Sequence, residues 1–558
     1  MLKLATRPVF NTLMDAIALK PQDNDRPALI YVASDAPTRT ISRAEFRLQI
    51  VIYANALTRL GIRARDLVVI AHTQNLESIY VFWAALYIGA VPSMFPTLTE
   101  KLDPDIYMNS LAELVRLSQV RAIFTTDDFA EQLRPRVLCG VYGTADLLAD
   151  TGMTVGFYRA QAYEIAFLQH SSGTTGLQKG VALSHESVLN QLASYSDALG
   201  LRGDDIIVSW LPLYHDMGLI AGFILPLVQG LPLVLMSPFD WVRHPALLLR
   251  AIHDTKATLC WLPNFAYNHM ARRVRERESE GLSLASMRAF INCSEPVRAD
   301  SHALFLERFA ANGVTPQMLQ VSYAMAENTF AVTQTALGEA VRHDRVDSIA
   351  LQEKLVAIPA SSDTPQAGVH VSCGQPIANV GIKIVGDTGQ ILEERMVGEI
   401  YVTSDCMLTE YYMRPDLQPF DAEGWYHTGD RGYLADGHLY VIGRSKDLII
   451  NAGKNVYPQD LEAIVNTIEG VHPGRAVAFG VPDDKEGTEL IAIVAEVDTA
   501  DPEARKRINQ QVRLLVAQQT DVTVNFVTLV DAGWLIKTSS GKISRPKNRD
   551  KWLAERAR

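Results

Sequence analysis

Short runs that are apolar at nearly every position, each ending in a loop and a helical pattern, constrain this chain most. "DLVVIAH", "RAIFTTD", "YEIAFLQH", "LPLVLM", "ATLCWLP", "MRAFINC" and "MLQVSYA" are such runs. A strand with no polar face must be covered on both sides, which parallel sheets between helical layers provide. After about Gly374 the texture changes to short strands separated by turns, "GIKIVGDTGQIL", "GEIYVTS" and "GHLYVIG". These predict a β-rich subdomain over 374–443. From Arg444 onward a helix at "YPQDLEAIVNTI" and strands at "GRAVAFGVPD" and "ELIAIVAEV" predict a separate small unit. The fold class expected is α/β. Residues 1–443 would form a large N-terminal domain of helix-covered sheets with the β-rich subdomain at its end. Residues 444–558 would form a small α+β C-terminal domain. The segment 338–368 is the least periodic and reads as an irregular insertion.

A chain of 558 residues exceeds one ordinary core. Its net charge of −11 argues against a general nucleic-acid-binding surface. Cys139, Cys260, Cys293, Cys373 and Cys406 are scattered and form no CxxC pair, so they read as reduced residues of a cytoplasmic protein. The first twenty residues hold no long apolar stretch and no small-residue cleavage site, so no secretory signal is expected. No charge occurs between Asp216 and Asp240, a run long enough to span a bilayer. Pro226, Pro232 and the turn-like "QGLP" interrupt it, which favours a buried helix, a turn and a buried strand over a transmembrane segment.

The stretch "LQHSSGTTGLQKGVALSH", Leu168 to His185, carries the first chemistry. Glycines let backbone N–H groups approach an anion, hydroxyls donate, and Lys179 supplies charge. It is not a Walker A loop, because counting from Gly173 puts Gln178 where the second glycine belongs. Taken alone it has a plainer reading as a flexible Gly/Thr loop. It does not stand alone: "SWLPLYHDMGL", "NCSEPV", "SYAMAENT", "YHTGDRGYL", "GRSKDLIINAGKNVYPQDLE" and "KTSSGKISR" follow in this order.

Together these motifs resemble the adenylate-forming superfamily of acyl-CoA synthetases, luciferases and peptide-synthetase adenylation domains, over nearly the whole chain. "WLPLYHDMGL", "PNFAY", "VSCGQP" and "YPQD" look most like its fatty acyl-AMP ligase branch, and 338–368 sits where that branch carries an insertion. The resemblance implies two steps. A fatty acid and ATP give acyl-AMP and pyrophosphate, and a thiol then takes the acyl group. Joining two anions requires charge neutralisation and in-line positioning. The implied cofactors are ATP and Mg²⁺, and the implied acceptor is the pantetheine arm of a holo acyl carrier protein. Coenzyme A is the alternative acceptor, and a non-catalytic nucleotide-binding homologue is a remoter one.

The same resemblance implies residue roles. Ser172, Thr174, Thr175 and Lys179 would hold the β- and γ-phosphates, with Thr174 and Glu327 near the metal. Ser294, Glu295 and Pro296 would flank the adenine opposite Tyr323, which opens the run Ala324, Met325, Ala326. Asp430 and Arg444 would bind the ribose, and His215 would lie near the α-phosphate and the incoming carboxylate. Lys542 would bridge α-phosphate and carboxylate, carried by a C-terminal domain that rotates about a hinge at Lys446. Phe265, Ala266 and Tyr267 would line an acyl tunnel.

Each residue also has a plainer reading. Glu327 fits a helix-start charge, Tyr323 and His215 fit core residues, Asp430 fits a turn, and Lys446 and Lys542 fit solvated lysines. Phe265, Ala266 and Tyr267 fit simple core. Three positions depart from the family pattern: Gln178 stands for a usual proline, Ala324 for a common glycine, and "NCSEP" for a smaller "GAEP"-like run. None of these removes a charged group.

Overall fold

The computed structural model describes residues 10–18, 23–98, 104–147, 155–171, 179–361, 364, 366–451, 454–483, 488–520, 522–538 and 541–556. Two large sheets dominate the first part of the chain. One has nine strands in the order Gln375–Pro376, Ala331–Gln334, Leu319–Ala324, Ala289–Asn292, Leu259–Leu262, Ile207–Ser209, Leu233–Met236, Pro27–Val32, Arg39–Ser42. Its middle, from Leu319–Ala324 to Pro27–Val32, is parallel, and antiparallel strands close both edges. The other has seven strands in the order Glu410–Tyr411, Lys179–Ser184, Ile165–Ser171, Val91–Met94, Leu67–Ile70, Ala122–Phe124, Gly140–Tyr142. The fully apolar runs read from the sequence are the parallel strands of these sheets.

What lies between the sheets explains that apolarity. The helix Leu76–Tyr87 is buried around its circumference, as a helix apolar on all sides must be. Its Phe82 ring meets Phe167 of the seven-stranded sheet at 5.8 Å and Phe223 at 5.7 Å. Phe223 belongs to Met217–Ile224, a helix of wide π geometry that continues into Leu225–Gln229, turns at Gly230 and enters the strand Leu233–Met236. The uncharged run is therefore helix, turn and strand inside the core. Among the described residues no helix is long and apolar enough to cross a membrane. Two glycines permit the close packing of the π segment. A Cβ at Gly218 would collide with the Pro212 carbonyl, and one at Gly222 would stand 2.6 Å from Ser209 Oγ.

A four-stranded antiparallel sheet follows, Gly381–Val385, Gly398–Thr403, Tyr426–Ala435 and His438–Arg444. Beyond it a three-stranded sheet, Val471–Asp483, Thr488–Val497 and Phe526–Val530, has a core on each face. The helices Pro458–Val465 and Pro502–Thr520 cover one face, and Arg545–Arg556 covers the other through Trp552. The segment expected to be irregular holds ordered elements: His343–Asp347 pairs with Ala367–Val371, and the helix Ser348–Glu353 lies between them. Its strands escaped the reading because "HDRVD" alternates charge with charge and only Val346 is buried.

Candidate active site

The carboxyl ends of adjacent parallel strands build one corner of the site, where open α/β sheets bind their ligands. Ala289–Asn292 ends before Cys293–Arg298, and Leu319–Ala324 ends before Met325 and the tight turn Ala326–Asn328. Tyr323, at the end of its strand, donates its hydroxyl to Asp430 Oδ2 at 2.6 Å. Arg444 Nε donates to Asp430 Oδ1 at 3.0 Å across the hairpin in which these two residues are register partners. Burial, followed by the Asp430 charge, pushes the Tyr323 phenol well above its ordinary range. Ser294, Glu295, Pro296, Tyr323, Ala324, Asp430 and Arg444 line one cavity of about 400 Å³. Met325 and Ala326 continue the chain directly behind it.

A buried polar network holds the 293–298 segment. The Asn264 side-chain oxygen accepts from the Arg298 N–H at 3.1 Å and from Asn292 Nδ2 at 3.1 Å. Asn264 Nδ2 donates to Ser301 Oγ at 3.0 Å. Asn292 Nδ2 also lies 3.0 Å from His302 Nε2. Burial drives the His302 imidazole down to about 4, so it is neutral at neutral pH. The asparagine of "PNFAY" thus supports the Ser294–Pro296 edge. Of the other three, Ala266 and Tyr267 are fully buried, and Tyr267 packs on His302 and Phe305. Phe265 is partly exposed, edge-on to the stacked indoles of Trp210 and Trp241.

A second corner gathers the residues read as phosphate and metal contacts. Ser172, Thr174 and Thr175 lie outside the described residues. Lys179 opens the strand Lys179–Ser184, and its Nζ stands 4.9 Å from the centre of the Tyr411 ring. Glu327 sits in the turn after Tyr323, and its Oε1 accepts the Tyr411 hydroxyl at 3.0 Å. The Tyr411 and Tyr426 hydroxyls are 3.1 Å apart. Burial, followed by the Glu327 charge, raises both phenols far above neutral pH, so both keep their protons. Among the described residues no three His, Cys, Asp or Glu side chains cluster tightly enough to hold a metal by themselves. A single carboxylate fits Mg²⁺, which keeps its waters and takes one or two carboxylates together with substrate phosphates.

The last corner joins the tail of the chain to the sheets. Lys542 Nζ donates to the main-chain carbonyl of Ser294 at 2.7 Å, and Ser294 holds a left-handed φ of 70°. Lys542 lies at the end of a hairpin that one side chain clamps. Asn548, fully buried, accepts from the Ile536 N–H and donates to the Ile536 and Ser544 carbonyls, each at 2.8 Å. Next to it Arg545 binds Asp447 at 2.6 Å and Glu462 at 2.8 Å. Lys446 is exposed in the tight turn Ser445–Asp447, so Arg545 ties that turn to the lysine hairpin. His215 Nδ1 stands 2.5 Å from Asp216 Oδ1, which also caps Met217 at the start of the π helix. Burial opposes the Asp216 charge, but His215, Lys542 and the Met217 N–H together hold this carboxyl below its ordinary value.

Tail and body meet elsewhere too. Arg298 Nη2 donates to the Gln459 carbonyl at 2.7 Å, Asn455 Nδ2 to the Gln352 carbonyl at 3.2 Å, and Lys454 pairs with Glu353 at 3.3 Å. The 343–371 hairpin therefore touches the C-terminal unit directly. Asp216, Asn264, Tyr411, Tyr426 and Asn548 were not read from the sequence as site residues. Tyr426 opens the quoted motif "YHTGDRGYL", whereas Tyr411 lies in no quoted motif.

Comparison with known proteins agrees with this geometry. Residues 18–412 match the AMP-binding enzyme family. A Caulobacter vibrioides relative provisionally named an acyl-CoA synthetase is 31% identical over 92% of this chain and 90% of its own length. The medium-chain-fatty-acid–[acyl-carrier-protein] ligase JamA of Moorena producens is 29% identical over 98% of this chain and 96% of its own. A solved structure from work on fatty acyl-adenylate ligases of E. coli and L. pneumophila superposes with a TM-score of 0.92 at 28% identity, covering 99% of this chain and 100% of that one. These matches show the family: the chain belongs to the AMP-binding, adenylate-forming enzyme family.

Proposed function

We propose that this protein activates a fatty acid with ATP to acyl-AMP and pyrophosphate. It then passes the acyl group to the phosphopantetheine thiol of a holo acyl carrier protein, in the cytoplasm. The observation that carries the reading is the Lys542–Ser294 hydrogen bond at the edge of the cavity that holds Asp430, Arg444 and Tyr323. A cation from the tail meets the edge of a nucleoside-sized pocket.

In this reading Asp430 and Arg444 take the ribose, and the adenine lies between Tyr323 and the Ser294–Pro296 edge. Lys179, with Ser172, Thr174 and Thr175, holds the β- and γ-phosphates. Glu327, with Thr174, would hold Mg²⁺, which when bound neutralises phosphate charge. A carboxylate oxygen of the fatty acid attacks the α-phosphorus. The bond from that phosphorus to the bridging oxygen breaks, and pyrophosphate leaves with the electron pair. An ammonium has three N–H donors. With one on the Ser294 carbonyl, Lys542 has two left for an α-phosphate oxygen and the attacking carboxylate, where charge develops. His215, oriented by Asp216, adds a donor on the same side. In the second step the pantetheine sulfur attacks the acyl carbonyl, AMP leaves, and the thiol proton passes to solvent.

The contacts of the 343–371 hairpin with Lys454 and Asn455 favour a restrained tail and a carrier protein as acceptor. The C. vibrioides relative's name favours coenzyme A. The test offers ATP, Mg²⁺ and fatty acids of graded length, then coenzyme A or holo carrier proteins, with products followed by mass spectrometry. Thioester on the carrier alone is expected. Rapid acyl-CoA formation would overturn the acceptor, and failure to release pyrophosphate with any fatty acid would overturn the whole reading.

A further inference from the structure

Tyr411 stands where three segments meet. Its strand Glu410–Tyr411 pairs with Lys179–Ser184, Tyr411 opposite Val181. The Tyr412 N–H donates to the Gly180 carbonyl at 2.8 Å, and the Leu408 N–H donates to the Glu327 carbonyl at 2.8 Å. Residues 408–412 thus stitch the strand that starts at Lys179 to the turn that carries Glu327. The side chain repeats the join: the ring meets the Lys179 ammonium at 4.9 Å and the hydroxyl meets Glu327 Oε1 at 3.0 Å.

The proton count fixes the direction of the bonds. A carboxylate only accepts, so the Tyr411 proton goes to Glu327. The Tyr411 oxygen can then accept from Tyr426, 3.1 Å away, whose hydroxyl also hydrogen-bonds Glu327. The result is a cluster of two phenols and one carboxylate, of the kind in which each bond polarises the next. Tyr411 takes Oε1 of that carboxylate.

We infer that Tyr411 is the positioning residue of the phosphate and metal corner, its hydroxyl setting which Glu327 oxygen faces the metal and its ring face holding the Lys179 ammonium at the phosphates. The inference rests on Glu327 being the metal-holding carboxylate. Two chemistries in one side chain make the effects separable. Removing the hydroxyl alone loosens the carboxylate, and removing the ring also frees the lysine, since an ammonium over an aromatic face is held electrostatically.

The test uses Mn²⁺ as an EPR-visible probe, titrated into the full chain with an ATP analogue whose α and β phosphorus atoms are joined by a methylene. Glu327→Gln, Tyr411→Phe and Tyr411→Leu are compared with the unaltered protein. Glu327→Gln is expected to weaken Mn²⁺ binding most, and Tyr411→Phe to weaken it about tenfold, the scale of one hydrogen bond to a charged group. In metal-free solution Tyr411→Phe should bind the analogue normally, while Tyr411→Leu binds it more weakly. Normal Mn²⁺ affinity in Tyr411→Phe beside a weakened Glu327→Gln would overturn the inference and leave the role of Glu327 standing. Normal affinity in Glu327→Gln would overturn both. If Tyr411→Leu does not fold, Tyr411→Phe, which keeps the ring, decides.

Discussion

The Lys542 ammonium is hydrogen-bonded to the Ser294 carbonyl at 2.7 Å, across 248 positions of sequence. The tail thus holds this lysine against the Ser294 edge of the cavity, and Ser294 Oγ takes no part in the contact. Lys542→Ala should cut ATP–pyrophosphate exchange by on the order of 10²–10³-fold, as for loss of one transition-state donor. Circular dichroism should be unchanged, because the hairpin is held by Asn548 and not by the lysine.

Asn548 offers an independent check on that hairpin. Asn548→Leu keeps the bulk but strands the Ile536 N–H and removes the second donor from the Ile536 and Ser544 carbonyls. Misplacing a reacting group by about an ångström costs on the order of 10²-fold in rate. The expected outcome is a loss of that order in kcat for adenylation with little change in the KM for ATP, read by steady-state kinetics. Transfer from supplied acyl-AMP to a carrier should fall far less.

Asp430 uses both carboxylate oxygens, one on Tyr323 and one on Arg444. Asp430→Asn replaces an acceptor with a donor opposite one of those donors. The KM for ATP should rise about tenfold or more, the scale of a hydrogen bond to a charged group. Equilibrium nucleotide binding by calorimetry checks it.

Acid should destabilise the fold through its buried histidines. His170, His185 and His302 are each held down to about 4 by burial, against an ordinary value of 6.5. A depressed histidine costs nothing above pH 6.5, where folded and unfolded forms are both neutral. Between 6.5 and 4 the unfolded chain binds the proton and the folded one does not, so stability falls as pH falls. From pH 7.5 to 5 the loss is about 2 kcal/mol for each fully shifted group. Melting temperature followed over that range should drop, and His302→Gln should flatten the dependence.

The 343–371 hairpin holds the tail through Glu353–Lys454 and the Gln352–Asn455 bond. Combining Glu353→Ala with Asn455→Ala should speed protease cleavage near the 445–447 turn several-fold. Lys446→Pro would test whether that turn must flex: adenylation and thiol transfer should then be affected unequally.

The legible and illegible parts of this molecule differ in a physical way. Strands such as "ATLCWLP" announced themselves because cover on both faces demands unbroken apolarity, and Leu259–Leu262 is buried at every position. Asp430, Arg444, Lys179, Glu327 and Lys542 carry charge in motifs of fixed spacing, so their grouping was readable before their geometry. The 343–371 hairpin was not, because a two-stranded ribbon with one buried valine in each strand has no pattern to detect. Nor were Asn548, Asn264 and Tyr411, whose work depends on partners far along the chain. Tyr411 is about 230 residues from Lys179, and nothing local distinguishes a phenol that holds a carboxylate from one that fills space.

The walls of the nucleoside cavity come from three places: Ser294 and Tyr323 in the body, His370 in the hairpin, and Gln459 and Thr520 in the tail. A ligand there is a rivet through three plates. By thermodynamic reciprocity, whatever loosens the plates must weaken the rivet by the same factor. Adenosine analogues with groups projecting from the base would then report the tail's position through their affinity alone, and retained AMP would pin the tail to the body.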